Sequence, residues 1–86
     1  MKQRRKAAAL KYEMNFEAPV VTAAGMGAIA DRIIDKAKAA DVPVVYNKEL
    51  TDLLCNVDIG DSIPPELYEA VAEIIAFVTE LDKKIK

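Results

Sequence analysis

The sequence has no histidine, no tryptophan and a single cysteine, Cys55. Without histidine the commonest general base is missing, and so is a frequent metal ligand. One cysteine closes no internal disulfide and falls short of the four ligands of a structural zinc site. A reducing compartment fits that usage. Apolar runs are short, and none approaches the ~18–20 residues that span a bilayer. The basic start, Lys2 with Arg4, Arg5 and Lys6, is followed by a stretch that Lys11, Glu13, Asn15 and Glu17 interrupt. A signal peptide would carry an unbroken apolar region there. Net charge is only −2, so no general attraction to nucleic acid or anionic lipid is expected.

What is present is an ordinary globular balance: 86 residues, 52% hydrophobic and 30% charged. That length predicts one small domain, burying roughly 60–65% of its unfolded surface around a thin core. Residues 7–13, AAALKYE, read as a first strand. MNFEA is a connection of hairpin length. Residues 19–24, PVVTAA, read as a second strand, with β-branched residues suited to a pleated surface. Pro19 stands at its first position, where a missing N–H matters least.

Gly25 and Gly27 then open a helix over 26–40. Met26, Ile29, Ala30, Ile33, Ile34, Ala37 and Ala40 form one stripe, opposite Asp31, Arg32, Asp35, Lys36 and Lys38. Asp41 and Pro43 end it. The run from Val42 to Tyr46 reads as a buried strand, which makes 19–46 a right-handed βαβ crossover. Asn47 suits an N-cap for a short helix with Leu50, Leu53 and Leu54. A loop around Gly60 follows. Pro64 and Pro65 start the last helix, where a missing N–H is harmless. Its stripe is Leu67, Val71, Ile74, Ile75, Val78 and Leu81. Glu66 and Glu69 at its start, and Lys83, Lys84 and Lys86 at its end, complement its dipole. The expected fold is α/β: a small mixed three-stranded sheet, hairpin plus βαβ crossover, packed with about three helices. The expected organisation is a basic arm over 1–6, a domain over 7–82 and a basic tail over 83–86.

Signs of chemistry are few. Gly25-Met26-Gly27 follows a strand and opens a helix, as nucleotide-binding turns do. Ala30 stands where the third glycine of a dinucleotide fingerprint belongs, and Tyr46 and Asn47 where its acidic residue would close the next strand. A helix-entry turn is the better reading. Cys55 has no histidine or basic cluster to activate it and reads as a small buried hydrophobe; the rival is a small enzyme using that thiol. Carboxylates such as Asp31, Asp35, Glu73 and Glu80 lie on solvated helix faces, and no spacing selects a pair for acid–base work. Residues 2–6 leave a second alternative, a nucleic-acid-binding accessory, although they carry no interleaved aromatics. No catalytic residue, cofactor or metal site is expected.

Several strings resemble one family: AAALKYE; APVV at 18–21; ADRI at 30–33; VPVVYN at 42–47; and VDIGDSIPPELYEAVAEIIAFV at 57–78. They are similar to the cytoplasmic C-terminal domain of the export-apparatus switch proteins of flagellar and injectisome type III secretion, the FlhB/YscU family. The resemblance covers about residues 7–82. Family members cleave themselves at an Asn-Pro-Thr-His loop just before the strand matching AAALKYE. Here that position reads Lys2-Gln3-Arg4-Arg5, so self-cleavage is not expected. The resemblance implies a free-standing form of the domain, a cytoplasmic interaction module peripheral to the export gate. Its implied partners are export-apparatus membrane proteins, export substrates or their chaperones, and the truncated fragment of the switch protein. It also implies a substitute for the post-cleavage fragment in substrate-specificity switching. Carried over residue by residue, the substrate-docking patch is Ala18, Pro19, Ala72 and Ile75. No nucleic acid and no membrane insertion are implied.

Overall fold

The computed structural model describes residues 5–85, with side chains through Thr79. The chain runs β1 (Lys6–Lys11), β2 (Val20–Met26), α1 (Ala28–Ala39), α2 (Lys48–Leu54), a single 3₁₀ turn (Pro65–Leu67) and α3 (Tyr68–Ile85). β1 and β2 form the expected antiparallel hairpin, with Ala7 opposite Gly25 and Ala8 opposite Ala24. The register shifts between Ala9 and Leu10, which leaves Thr22 without an opposite residue. Such a bulge is one extra residue that tightens the local twist. The Thr22 hydroxyl donates to the Ala9 carbonyl at 3.3 Å.

Side chains alternate across a strand, and β1 uses both of its faces. Ala7 packs with Ala30 and Ile34 of α1. Ala8 and Leu10 pack against the main core, which is built from Ala18, Val21, Leu50, Leu54, Ile63, Leu67 and Val71. α1 thus lies against one face of the sheet, and α2 and α3 serve the other. The fully buried Val21, Ile63 and Val71 sit at the centre of the main core. The loop over 58–63 runs along the outer edge of β2, where Val20 and Ser62 form an isolated antiparallel bridge.

The helix ends follow local chemistry. The Asn47 side chain accepts the Leu50 N–H at 3.1 Å and caps α2, as expected. Pro64 and Pro65 open the last helical segment through the 3₁₀ turn, closed by Leu67 N–H to the Pro64 carbonyl at 3.0 Å. α1 begins two residues later than its apolar stripe suggests. Gly27, at φ 62° and ψ −129°, occupies the N-cap position in a region that only glycine enters easily. At the other end of α1, Asp41 N–H donates to the Lys38 carbonyl and Val42 N–H to the Ala37 carbonyl at 2.8 Å. With Asp41 at φ 58°, this pattern is a Schellman motif.

The sheet differs from expectation in one respect. It has two strands, not three. The Val42–Tyr46 run forms no strand, and the described residues contain no parallel βαβ crossover. The run has the composition of a strand, but a strand exists only where a neighbour supplies its ladder, and a groove separates this segment from the free edge of β1.

Candidate functional site

An open groove of ≈ 1420 Å³ lies beside the sheet. Arg5 and β1, from Lys6 to Leu10, form one wall, and the irregular segment 42–47 forms another. Ile33, Ile34 and Ala37 of α1 line it, together with Leu50 and Leu54 of α2 and Ile74, Ile75 and Val78 of α3. Tyr12 and Tyr46 also line it, and Tyr46 is 77% exposed. The sequence places these apolar residues together for a simple reason. The stripes of three helices converge on the flank of a two-stranded sheet too narrow to cover them. The Lys6 ammonium lies 3.1 Å from the Asp52 carboxylate and ties the start of β1 to α2.

The residues of the expected docking patch do not all reach the surface. Ala18 is 4% exposed and belongs to the main core, and Pro19 is buried. Ala72 is exposed on α3. Ile75 is half-buried, packs against the main core and lines the groove. Cys55 is half-buried, and its thiol donates to the Ala7 carbonyl at 3.7 Å. It borders a second, smaller depression of ≈ 460 Å³ with Met26, Ile29 and Ile59. Of the basic start, Lys2 and Arg4 lie outside the described residues. Arg5 is 3.6 Å from Asp31 and Lys6 is held by Asp52, so both described cations already face carboxylates. No helix among the described residues is long and apolar enough to cross a membrane.

The groove itself is invisible to periodicity, because its lining comes from five separate stretches. The one local signal is VPVVYN, an apolar run with strand composition that the hairpin leaves unpartnered.

The same fold occurs in solved C-terminal domains. A mutated EscU/SpaS C-terminal domain superposes with a TM-score of 0.82 at 30% identity, covering 87% of this chain and 95% of that one. The PscU C-terminal domain gives a TM-score of 0.79 at 27% identity, covering 85% and 95%. In sequence, the chain is 46% identical over 83 residues to YlqH of Bacillus subtilis (strain 168), covering 95% of this chain and 89% of that protein. It is also 46% identical over 81 residues to the flagellar biosynthetic protein FlhB of Aquifex aeolicus (strain VF5), covering 92% of this chain but 23% of that protein. The family model described as "FlhB HrpN YscU SpaS Family" matches residues 5–78. The class defined by these likenesses is the C-terminal domain of type III export switch components. The chain belongs to the FlhB HrpN YscU SpaS family. It spans less than a quarter of the length of the FlhB protein that it matches.

Proposed function

We propose that this chain is an interaction module of the bacterial flagellar or type III export apparatus, acting at the cytoplasmic face. It docks export substrates, their chaperones or apparatus subunits by surface recognition. It stands in for the C-terminal part of the switch protein in substrate-specificity switching. One observation carries the reading. The 81 residues matched to FlhB take up 92% of this chain and 23% of that protein, so nearly the whole chain corresponds to one portion of a flagellar biosynthetic protein. The apolar character of the surface supports recognition by contact, since contiguous exposed apolar area marks partner sites. Arg5 and Lys6 are engaged by carboxylates, and no observation favours nucleic acid.

The test is complementation. A strain whose FlhB ends before the region matched by residues 5–78 is supplied with this chain, and flagellar proteins secreted into the medium are measured. Restored export supports the reading. Export that stays absent, with the chain present at normal abundance, overturns it.

A further inference from the structure

The outer edge of β2 is occupied by the chain itself at its Pro19–Val21 end. Val21 N–H donates to the Asp61 carbonyl at 3.0 Å, Gly60 N–H to the Val21 carbonyl at 2.7 Å, and Ile63 N–H to the Pro19 carbonyl at 2.9 Å. Beyond the bulge at Thr22 the same edge is bare. Gly27 N–H donates to the Arg5 carbonyl at 2.7 Å, so the backbone of Gly27 turns towards β1, and Gly25, opposite Ala7, turns the same way. Alternation along an antiparallel ladder then turns the N–H and carbonyl of Ala24 outward. Neither group bonds to the backbone of a described residue outside the hairpin.

The depression of ≈ 460 Å³ lies at this bare end, and Ala24 and Met26 line it together with Ile29, Val57 and Ile59. Gly25 faces Ile29 of α1, whereas Ala24 and Val57 pack against the main core. A segment laid beside Ala24 therefore has Ile29 on one face and Val57 on the other. Ile29 is 57% exposed and Ile59 62% exposed, so apolar side chains stand in solvent around an unpaired backbone edge, as at partner sites. Successive side chains of an extended segment point to opposite faces, so two neighbouring apolar residues cover the two sides. Asp58 is the charged residue of the lining. It and Asp61 on the same loop are exposed, and neither forms an ion pair with a described residue. The complement is a cation. A second copy of the chain does not supply it, because an isologous contact through so small a patch sets Asp58 against its own copy.

We propose that the Ala24–Met26 end of β2 is a docking site for a short extended peptide of another protein, one with two adjacent apolar residues flanked by arginine or lysine. The peptide backbone bonds to Ala24, the apolar pair rests on Ile29 and on Val57 with Ile59, and the cation meets Asp58. The site lies on the opposite side of the sheet from the groove. It rests on the geometry of this chain and stands whether or not the chain serves an export apparatus.

The probe is an end-blocked peptide, Arg-Thr-Ile-Phe-Thr-Arg, added to the intact chain. Its control replaces both arginines with glutamate. Cys55 borders the depression and is the sole cysteine, so its alkylation by iodoacetamide, an uncharged reagent, reports occupancy. Expected is saturable slowing of Cys55 alkylation and of Ala24 amide exchange by the basic peptide. The acidic control should bind at least about threefold more weakly, the scale of an exposed ion pair. Asp58→Arg should invert that preference, and Ile59→Ser should weaken both peptides. The melting temperature of either variant should stay within a few degrees, since both side chains are exposed. Should Ile59→Ser fail to fold, the charge swap still decides the matter. Equal binding of the two peptides, or a preference that survives Asp58→Arg, overturns the site. An Ala24 amide already protected in the free chain overturns it as well, and so does Cys55 alkylation that neither peptide slows. Alkylation that slows with protein concentration alone assigns the patch to a second copy and overturns the proposal.

Discussion

Gly25 and Ile29 are in such close approach that a Cβ on residue 25 would collide with Ile29 Cγ2 and lie 2.9 Å from Ile29 Cβ. The second contact is the telling one. The Cβ of Ile29 is fixed by the first turn of α1, and a β-branched side chain in a helix has little rotamer freedom to withdraw. Glycine at 25 therefore sets how closely the helix follows the strand. Gly25→Ala should destabilise the fold by about 1–3 kcal/mol, the usual cost of overpacking. Urea denaturation of the two proteins measures the difference. Equal midpoints would show that α1 shifts at no cost.

Asn47 couples the irregular segment to α2 through its side chain. Asn47→Ala removes the acceptor for Leu50 N–H and should cost about 1 kcal/mol, within the usual range for lost caps. Asn47→Ser should recover most of it. Thermal unfolding followed by circular dichroism distinguishes the two substitutions. A serine variant as unstable as the alanine variant would show that the hydrogen bond is not the cause.

Asp41 holds a left-handed conformation that glycine adopts without penalty. Asp41→Gly should raise stability by roughly 0.5–1 kcal/mol, because relief of the steric cost outweighs the extra freedom gained by the unfolded chain. The predicted sign is a higher melting temperature. A lower one would mean that the aspartate makes an unrecognised favourable contact.

Ala72 is the exposed member of the four residues that the family resemblance assigns to a docking patch. If apolar export signals rest there, Ala72→Glu should weaken their binding by about 1–3 kcal/mol, because a charge is then desolvated without a partner. Titration calorimetry with an apolar signal peptide provides the measurement, alongside a melting curve expected to be unchanged. Undiminished affinity would remove the α3 surface from the recognition site. The burial of Ala18 and Pro19 makes Ala72 the discriminating position, since changes at the other two would disturb the core.

The hairpin, the three helices and two of their starts are legible in the sequence because each depends on neighbours within a few residues. Asn47 before an apolar triplet of leucines announces a cap, and a Pro-Pro pair announces a helix start. The Val42–Tyr46 run misleads for the opposite reason. Composition reports that a segment suits a sheet, and only the rest of the molecule decides whether a ladder partner reaches it. The Schellman end of α1 is also hidden, since the left-handed position carries aspartate where glycine would have marked it. Of the expected patch, the sequence indicates that Ile75 belongs to an apolar stripe. It does not indicate that Ala18 lies beneath the surface, because small residues carry little burial signal of their own.

The self-bonding of the Asp58–Ile63 loop to β2 limits how many molecules can associate through the sheet. A sheet open on two sides can pass strand pairing from one molecule to the next and grow without end, as fibres do. Here the chain has plugged one side with its own carbonyls and amides, at Asp61, Gly60 and Ile63. The plug covers the Pro19–Val21 end of that side. Strand pairing carried through the Pro19–Val21 end of this edge would first have to displace that loop.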